Sequence, residues 1–179
     1  MTAPRWQTAV MYGLVCGVGL SFAAAGTTKK RHRHGAHVHG AATLIMTIEE
    51  RTATVELIAP AQSIMGFEHQ AKSAADQKRQ AMALDLLRHK ISSMVVLDPA
   101  LGCSFSPTRV DVVQQDQEHA EVHSTFTVNC DTPLAGSQLR FSFTKTFPKI
   151  QTVNVQLVGV TQQVGALIKR DKGEVEVPR

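Results

Sequence analysis

The chain has 179 residues, 19 Lys+Arg against 15 Asp+Glu, eight His and three Cys. That length suits one domain, or one domain plus a processed segment, and 43% hydrophobic content excludes whole-chain disorder. A net charge of +4, 5% aromatics and no long basic run give no case for nucleic acid, and so few Cys disfavour a disulfide-dense mini-protein or a Cys-rich zinc finger.

Residues 1–25 read as a secretory signal peptide. Arg5 supplies the positive n-region, Ala9 to Phe22 form an uncharged apolar run, and Ala23-Ala24-Ala25 offers a small-residue cleavage site. The competing reading is an uncleaved membrane anchor. Against it, the run is shorter than the ~20 residues that span a bilayer, and Gly13, Gly17 and Gly19 dilute it. Cys16 sits mid-run behind the large Val15, which argues against lipidation. The expected product is a soluble, exported chain without stable membrane insertion. It keeps Cys103 and Cys130. Two Cys in an oxidising compartment are expected to form one disulfide, worth about 3–4 kcal/mol in the chain-entropy model. The alternative, a metal-thiolate or redox pair, lacks a CxxC spacing.

Residues 26–36 are polar and basic without periodicity and read as a tail; residues 37–179 read as a single domain. Leu44, Met46 and Ile48 share one parity, and after Glu49-Glu50-Arg51 so do Ala53, Val55 and Leu57, which predicts a hairpin ended by Pro60. Residues 61–70 form a connection that inserts Ile64, Met65 and Phe67 into the core. Ser73 with Asp76 makes a weakened capping box ahead of a helix from Ala74 to about Met94, whose Leu84, Leu87 and Ile91 stripe faces a sheet. Asp98-Pro99 stops it. Further strands are predicted around Val110 and Val112, over 119–130 with Val122, Phe126, Val128 and Cys130 on one face, at Leu139, Phe141 and Phe143, at Val153, Val155 and Leu157, and over 164–169. The tail 170–179 carries a weak strand signal. Short polar breaks favour antiparallel neighbours, so the expected class is α+β: an antiparallel β-sheet of about six to eight strands with one main α-helix packed on it.

The histidines are the chemical feature. Four of the eight fall within residues 32–39. His37 and His39 are the best pair: two apart in a strand, they share a face at ~6.6 Å and can converge on one ion. Neutral imidazole suits zinc, and also copper or nickel. His119, Glu121 and His123 share the face opposite Val122, Phe126 and Val128. His119 and His123 lie ~13 Å apart in a regular strand and meet one ion only if the strand bends or starts after His119. Solvated strand edges explain both groups without metal. His69 reads as a ligand or a loop residue, and His89 as a solvated helix residue. Met46, Met65, Met82 and Met94 read as core packing. GxSxG, HExxH, Walker and dinucleotide motifs are absent, so no enzyme is expected.

Several short pieces in order resemble the ZrgA-like zinc-regulated periplasmic proteins of Gram-negative bacteria. They are the His34-Gly35-Ala36-His37-Val38-His39-Gly40 motif, Leu44, Pro60, Gly66-Phe67-Glu68-His69 before an Ala-rich helix, Gly102-Cys103, a strand ending in Cys130, Phe147-Pro148 and the Val153-x-Val155-x-Leu157 strand. The pieces cover roughly residues 34–160. The resemblance implies a periplasmic protein of zinc homeostasis without a reaction, working with a zinc solute-binding protein or transporter. It places a metal role on His37, His39, His69, His119 and His123. Members often carry a long His/Asp/Glu-rich insertion between the two strands that end at the second Cys; here that stretch is only Gln114 to His123, enough imidazole for one or two sites but not a reservoir. Two other readings remain open: a periplasmic interaction module whose histidines are incidental, and a copper chaperone.

Overall fold

A computed structural model describes residues 39–179. The predicted hairpin is β1 (Ala41–Glu49) and β2 (Thr52–Pro60), antiparallel with Leu44 opposite Leu57 and Met46 opposite Val55. Ala42, Leu44, Met46 and Ile48 of β1 and Ala53, Val55, Leu57 and Ala59 of β2 are buried on one face. The period-two pattern therefore selects the register, because a one-residue slip would turn all eight outward. Glu50 adopts a left-handed φ of 53° in the tight turn, where its carbonyl accepts from the Leu134 N–H.

A single helical turn, α1 (Ala61–Ile64), follows Pro60, and Ile64, Met65 and Phe67 are buried as expected. The long helix α2 spans Ala74–Met94. Ser73 caps it: the Ser73 hydroxyl oxygen accepts from the Asp76 N–H at 3.0 Å and donates to the Asp76 carboxylate at 2.6 Å. Leu84, Leu87, Ile91 and Met94 are buried, so only the second half of α2 is packed. Arg88 fixes it sideways by donating to the Val110 carbonyl at 2.8 Å. Met46, Met65 and Met94 are core residues, but Met82 is 63% exposed because the first half of the helix overhangs the core.

After the two-residue strand β3 (Val95–Val96) the chain forms β4 (Ser104–Gln114) and β5 (Ala120–Asn129). Pro107 lies in β4, where the register shifts between Pro107 and Arg109. This is tolerated because β4 is an edge strand. Cys103 and Cys130 form the expected disulfide, Sγ–Sγ 2.06 Å, joining the start of β4 to the end of β5. Gly102 beside it has φ 62°, and a Cβ there would meet the Asp131 carboxylate at 2.1 Å.

The remaining strands are β6 (Gln138–Phe141), β7 (Thr152–Val158), β8 (Gln163–Lys169) and β9 (Glu174–Glu176). Six strands make one sheet in the order β4-β5-β2-β1-β7-β8; β3, β6 and β9 make a second, smaller one. The α+β class holds. All pairs are antiparallel except β1 with β7, where Leu44 faces Val155 in a parallel ladder. Leu139, Phe141 and Phe143 of the small sheet and its exit join the same apolar core as β1, β2, β5, β7 and α2. Each such side chain, fully buried, contributes about 1.5–3 kcal/mol. Asp171 ties this region together, accepting from the Phe143 and Thr144 N–H groups at 2.9 Å each and from the Thr144 hydroxyl.

Candidate metal centre

The start of β1, the end of β2, the end of β4 and the start of β5 all lie at one end of the large sheet. Thr43 pairs with Ile58, Pro60 with Glu121, and Gln114 with Ala120. β1 and β5 flank β2, which sets their ends about 10 Å apart. The loop that carries Gly66 to Ser73 packs against the end of β4 and the β4–β5 turn. Four candidate residues, His39, His69, His119 and His123, reach this end from segments far apart in sequence. The disulfide sits at the other end.

His39 lies two residues before β1. Gly40 makes the entry possible: φ is 82°, and its carbonyl accepts from the Gln151 and Thr152 N–H groups at 2.8 and 3.0 Å. The neighbouring loop turns at Gly66, φ 90°, and buries Phe67 and Glu68. Glu68 is only 8% exposed, and its Oε1 accepts no hydrogen bond from the described residues. Its nearest basic partner is His39 Nδ1 at 3.7 Å, beyond hydrogen-bond length.

His69 stacks on Phe67, ring centroids 4.8 Å apart, and the Arg79 guanidinium lies 5.3 Å from the Phe67 ring centre. His69 Nε2 sits 3.4 Å from Asp76 Oδ2. The Asp76 carboxyl is pulled down to about 2, first by the Ser73 hydroxyl and then by Arg79 at 2.5 Å. His69 and Asp76 line an open cleft of about 620 Å³ that faces Gln114 and Asp116.

His119 lies in the β4–β5 turn, one residue before β5 begins. The strand does start after His119, the condition set by the 119/123 spacing. Asp116 builds this turn. One carboxylate oxygen accepts the Glu118 and His119 N–H groups at 2.8 Å each, and both oxygens lie 3.0 Å from His119 Nδ1. That hydrogen bond and the Asp116 charge raise the His119 pKa, and the charge on Glu68 adds to the effect. His123 projects from the face of β5 opposite buried Val122 and Ser124. Its Nε2 lies 2.9 Å from Glu121 Oε2, which also accepts from the Gln115 amide at 3.0 Å.

A carboxylate therefore stands on one ring nitrogen of His69, His119 and His123. This arrangement fixes the tautomer and places the lone pair on the other nitrogen, as metal-binding histidines require. The pairing alone is not diagnostic, since solvated His89 on α2 has Asp85 in the same role at 3.3 Å. What distinguishes the sheet end is that His39, His69, His119 and His123 all lie there, on segments far apart in sequence. His37 lies outside the described residues. Among the described residues, no group of three or more His, Cys, Asp or Glu side chains is close enough to hold an ion. Of the His–carboxylate pairs at this end, His39 with Glu68 is the widest, at 3.7 Å.

The scan against protein families supplies the deciding observation: the model of the ZrgA family zinc uptake protein matches residues 36–177. The chain belongs to the ZrgA family. No curated protein matches it. The ZrgA match runs beyond the resemblance read from the sequence and takes in β8 and β9. It also covers every described element around the sheet end, from His39 to the β4–β5 turn. A zinc-related role follows from the family. Among the described residues, no helix of this ZrgA-family chain is long and apolar enough to cross a membrane.

Sequence reading missed Glu68, Asp76, Gln114 and Asp116 at this end of the ZrgA fold. Glu68 stood in the Gly66-Phe67-Glu68-His69 motif, beside a residue already singled out. Asp116, three residues before His119, is a turn-capping residue by type. Gln114 offered no signal, because its role depends on which loop packs over the strand end.

Proposed function

We propose that this ZrgA-family chain is an exported periplasmic protein that binds zinc and assists zinc uptake, without catalysing a reaction. The observation that supports this best is that His39, His69, His119 and His123 lie at one sheet end, with His39 3.7 Å from the buried Glu68 carboxylate, in a chain of a zinc uptake family. His39 and its sequence neighbour His37 form the core of the donor set. His69, His119 and His123 supply further imidazoles at the same sheet end, with ring nitrogens already oriented by Asp76, Asp116 and Glu121. Imidazole nitrogen and carboxylate oxygen suit zinc better than Cu(I), which prefers sulfur. His39 is 63% exposed, so an ion held there can be passed on by stepwise ligand exchange with an importer or a zinc solute-binding protein.

Zinc titration of the signal-free chain by calorimetry, with native mass spectrometry for stoichiometry, tests this. One or two ions per chain are expected. Binding no tighter than tens of micromolar, or binding unchanged in a His37→Ala/His39→Ala variant, would sink the reading. Competition between Cu(I) and Zn(II) separates it from a copper chaperone.

One observation favours a second reading, that of an interaction module. An apolar groove of about 700 Å³ runs between α1, α2 and residues 146–149, with Met82 and Leu86 on its rim. A purified zinc solute-binding protein that binds this chain equally with and without chelator, and fails to bind Leu86→Asp, would support it.

A further inference from the structure

We propose that Glu68 is itself a metal ligand, and that His39 Nδ1 and Glu68 Oε1 hold the same divalent ion. This rests on the zinc reading above and adds to it a residue, an atom and a coordination chemistry.

The argument starts from cost. A carboxylate buried to 8% exposure with an oxygen that accepts no hydrogen bond from the described residues is an expensive thing for a fold to keep. Other buried polar groups nearby are satisfied; Ser124 gives its hydroxyl hydrogen to the Leu57 carbonyl at 3.2 Å. Glu68 is an exception that the packing does not explain. A cation supplied from outside would explain it.

The separation then decides between two roles. The carboxylates on His69, His119 and His123 stand 2.9–3.4 Å from the ring nitrogen, as hydrogen-bond partners do. Glu68 stands 3.7 Å from His39 Nδ1. Two donors on one tetrahedral zinc, each about 2.0–2.2 Å from it, lie roughly 3.3–3.6 Å apart. The pair is too long for a hydrogen bond and close to the spacing of two ligands on one ion. The chain also holds it there from both sides: Gly40 anchors His39 to Gln151 and Thr152, and Gln114 grips the Glu68 carbonyl at 3.1 Å. A site with one anionic oxygen favours Zn(II) over Cu(I) more strongly than a site of imidazoles alone.

The test uses the signal-free chain and zinc alone. Glu68→Gln keeps the shape and removes the charge. Expected are at least a tenfold loss of zinc affinity and a metal-free melting temperature equal to or above that of the parent. Equal affinity in parent and Glu68→Gln overturns the inference while leaving the zinc reading intact. No zinc binding by the parent overturns the reading itself. A large drop in the metal-free melting temperature marks Glu68 as a structural residue and also overturns the inference. Long-range 1H–15N NMR of the zinc-loaded parent gives an independent arm. Metal on His39 Nδ1 supports the pairing. Metal on Nε2 with a protonated Nδ1 makes Glu68 a positioning residue and rejects it as a ligand.

Discussion

The Gln114 side-chain amide donates to the backbone carbonyls of both Glu68 and His119, at 3.1 Å each. One nitrogen at the end of β4 thus couples the loop that carries Glu68 to the turn before β5. It also reaches the Asp116 carbonyl at 2.6 Å. In Gln114→Ala both loops lose their common anchor. The expected cost in stability is about 1 kcal/mol, the net worth of such bonds near a surface. Zinc affinity should fall several-fold, because donors on independent loops must be ordered again on binding. Calorimetry beside a thermal melt separates the two effects.

The cap of α2 gives a pH signature. The Asp76 carboxyl is held at about 2 in the folded chain against 3.8 ordinarily. A depressed acid stabilises the fold above its unfolded value and loses that contribution as pH falls toward the folded one. The stability of the metal-free chain should therefore decline between about pH 4 and pH 2, and Asp76→Asn should flatten that decline. Ser73→Ala should cost about 1 kcal/mol at neutral pH. Denaturant melts across that range provide the check.

His119 titrates in the opposite sense. Its pKa is raised above 6.5, chiefly by the Asp116 hydrogen bond. Its stabilising pairing is complete below 6.5 and is lost as pH rises through the folded value. An NMR titration of the metal-free chain should find His119 above the ordinary histidine range, and Asp116→Asn should bring it back down. Because a proton competes with metal for imidazole, zinc affinity should weaken with acidification from above pH 6.5.

The disulfide should matter for stability and not for metal. Cys103 and Cys130 lie at the sheet end away from His39 and His119, with a sequence separation of 27. Cys103→Ser/Cys130→Ser should lose about 3 kcal/mol in the chain-entropy model. Zinc affinity measured at a temperature where the variant stays folded should be unchanged.

Local pattern was enough for much of the fold. Ser73, Asp76 and the Leu84-Leu87-Ile91 stripe located α2, and the alternation around Leu44 and Val55 located the hairpin. Long-range pairing was not legible. Nothing in residues 152–158 announces that they lie parallel to β1, because a parallel partner is chosen by the whole sheet. Met82 fits the helical pattern yet is exposed, since that pattern cannot say where the supporting core ends. At the candidate site the histidines were visible by their type and spacing. Glu68 was not, because a loop has no parity and so no sequence rule predicts which of its side chains turns inward.

The parallel pairing of β1 with β7 has a consequence for how the chain is made. β1 is an uncharged apolar strand until Glu49, and its second hydrogen-bonding edge belongs to β7, more than a hundred residues downstream. A chain that emerges N-terminus first can close the β1–β2 hairpin early. It must then leave a sticky, unpaired edge open until residues 152–158 arrive. A truncation after Ile150 would keep every described histidine of the candidate site, would lose the Gln151 and Thr152 N–H groups that hold Gly40, and is expected to aggregate. The last part of the sequence, which contains no histidine, acts as the guard on the first strand.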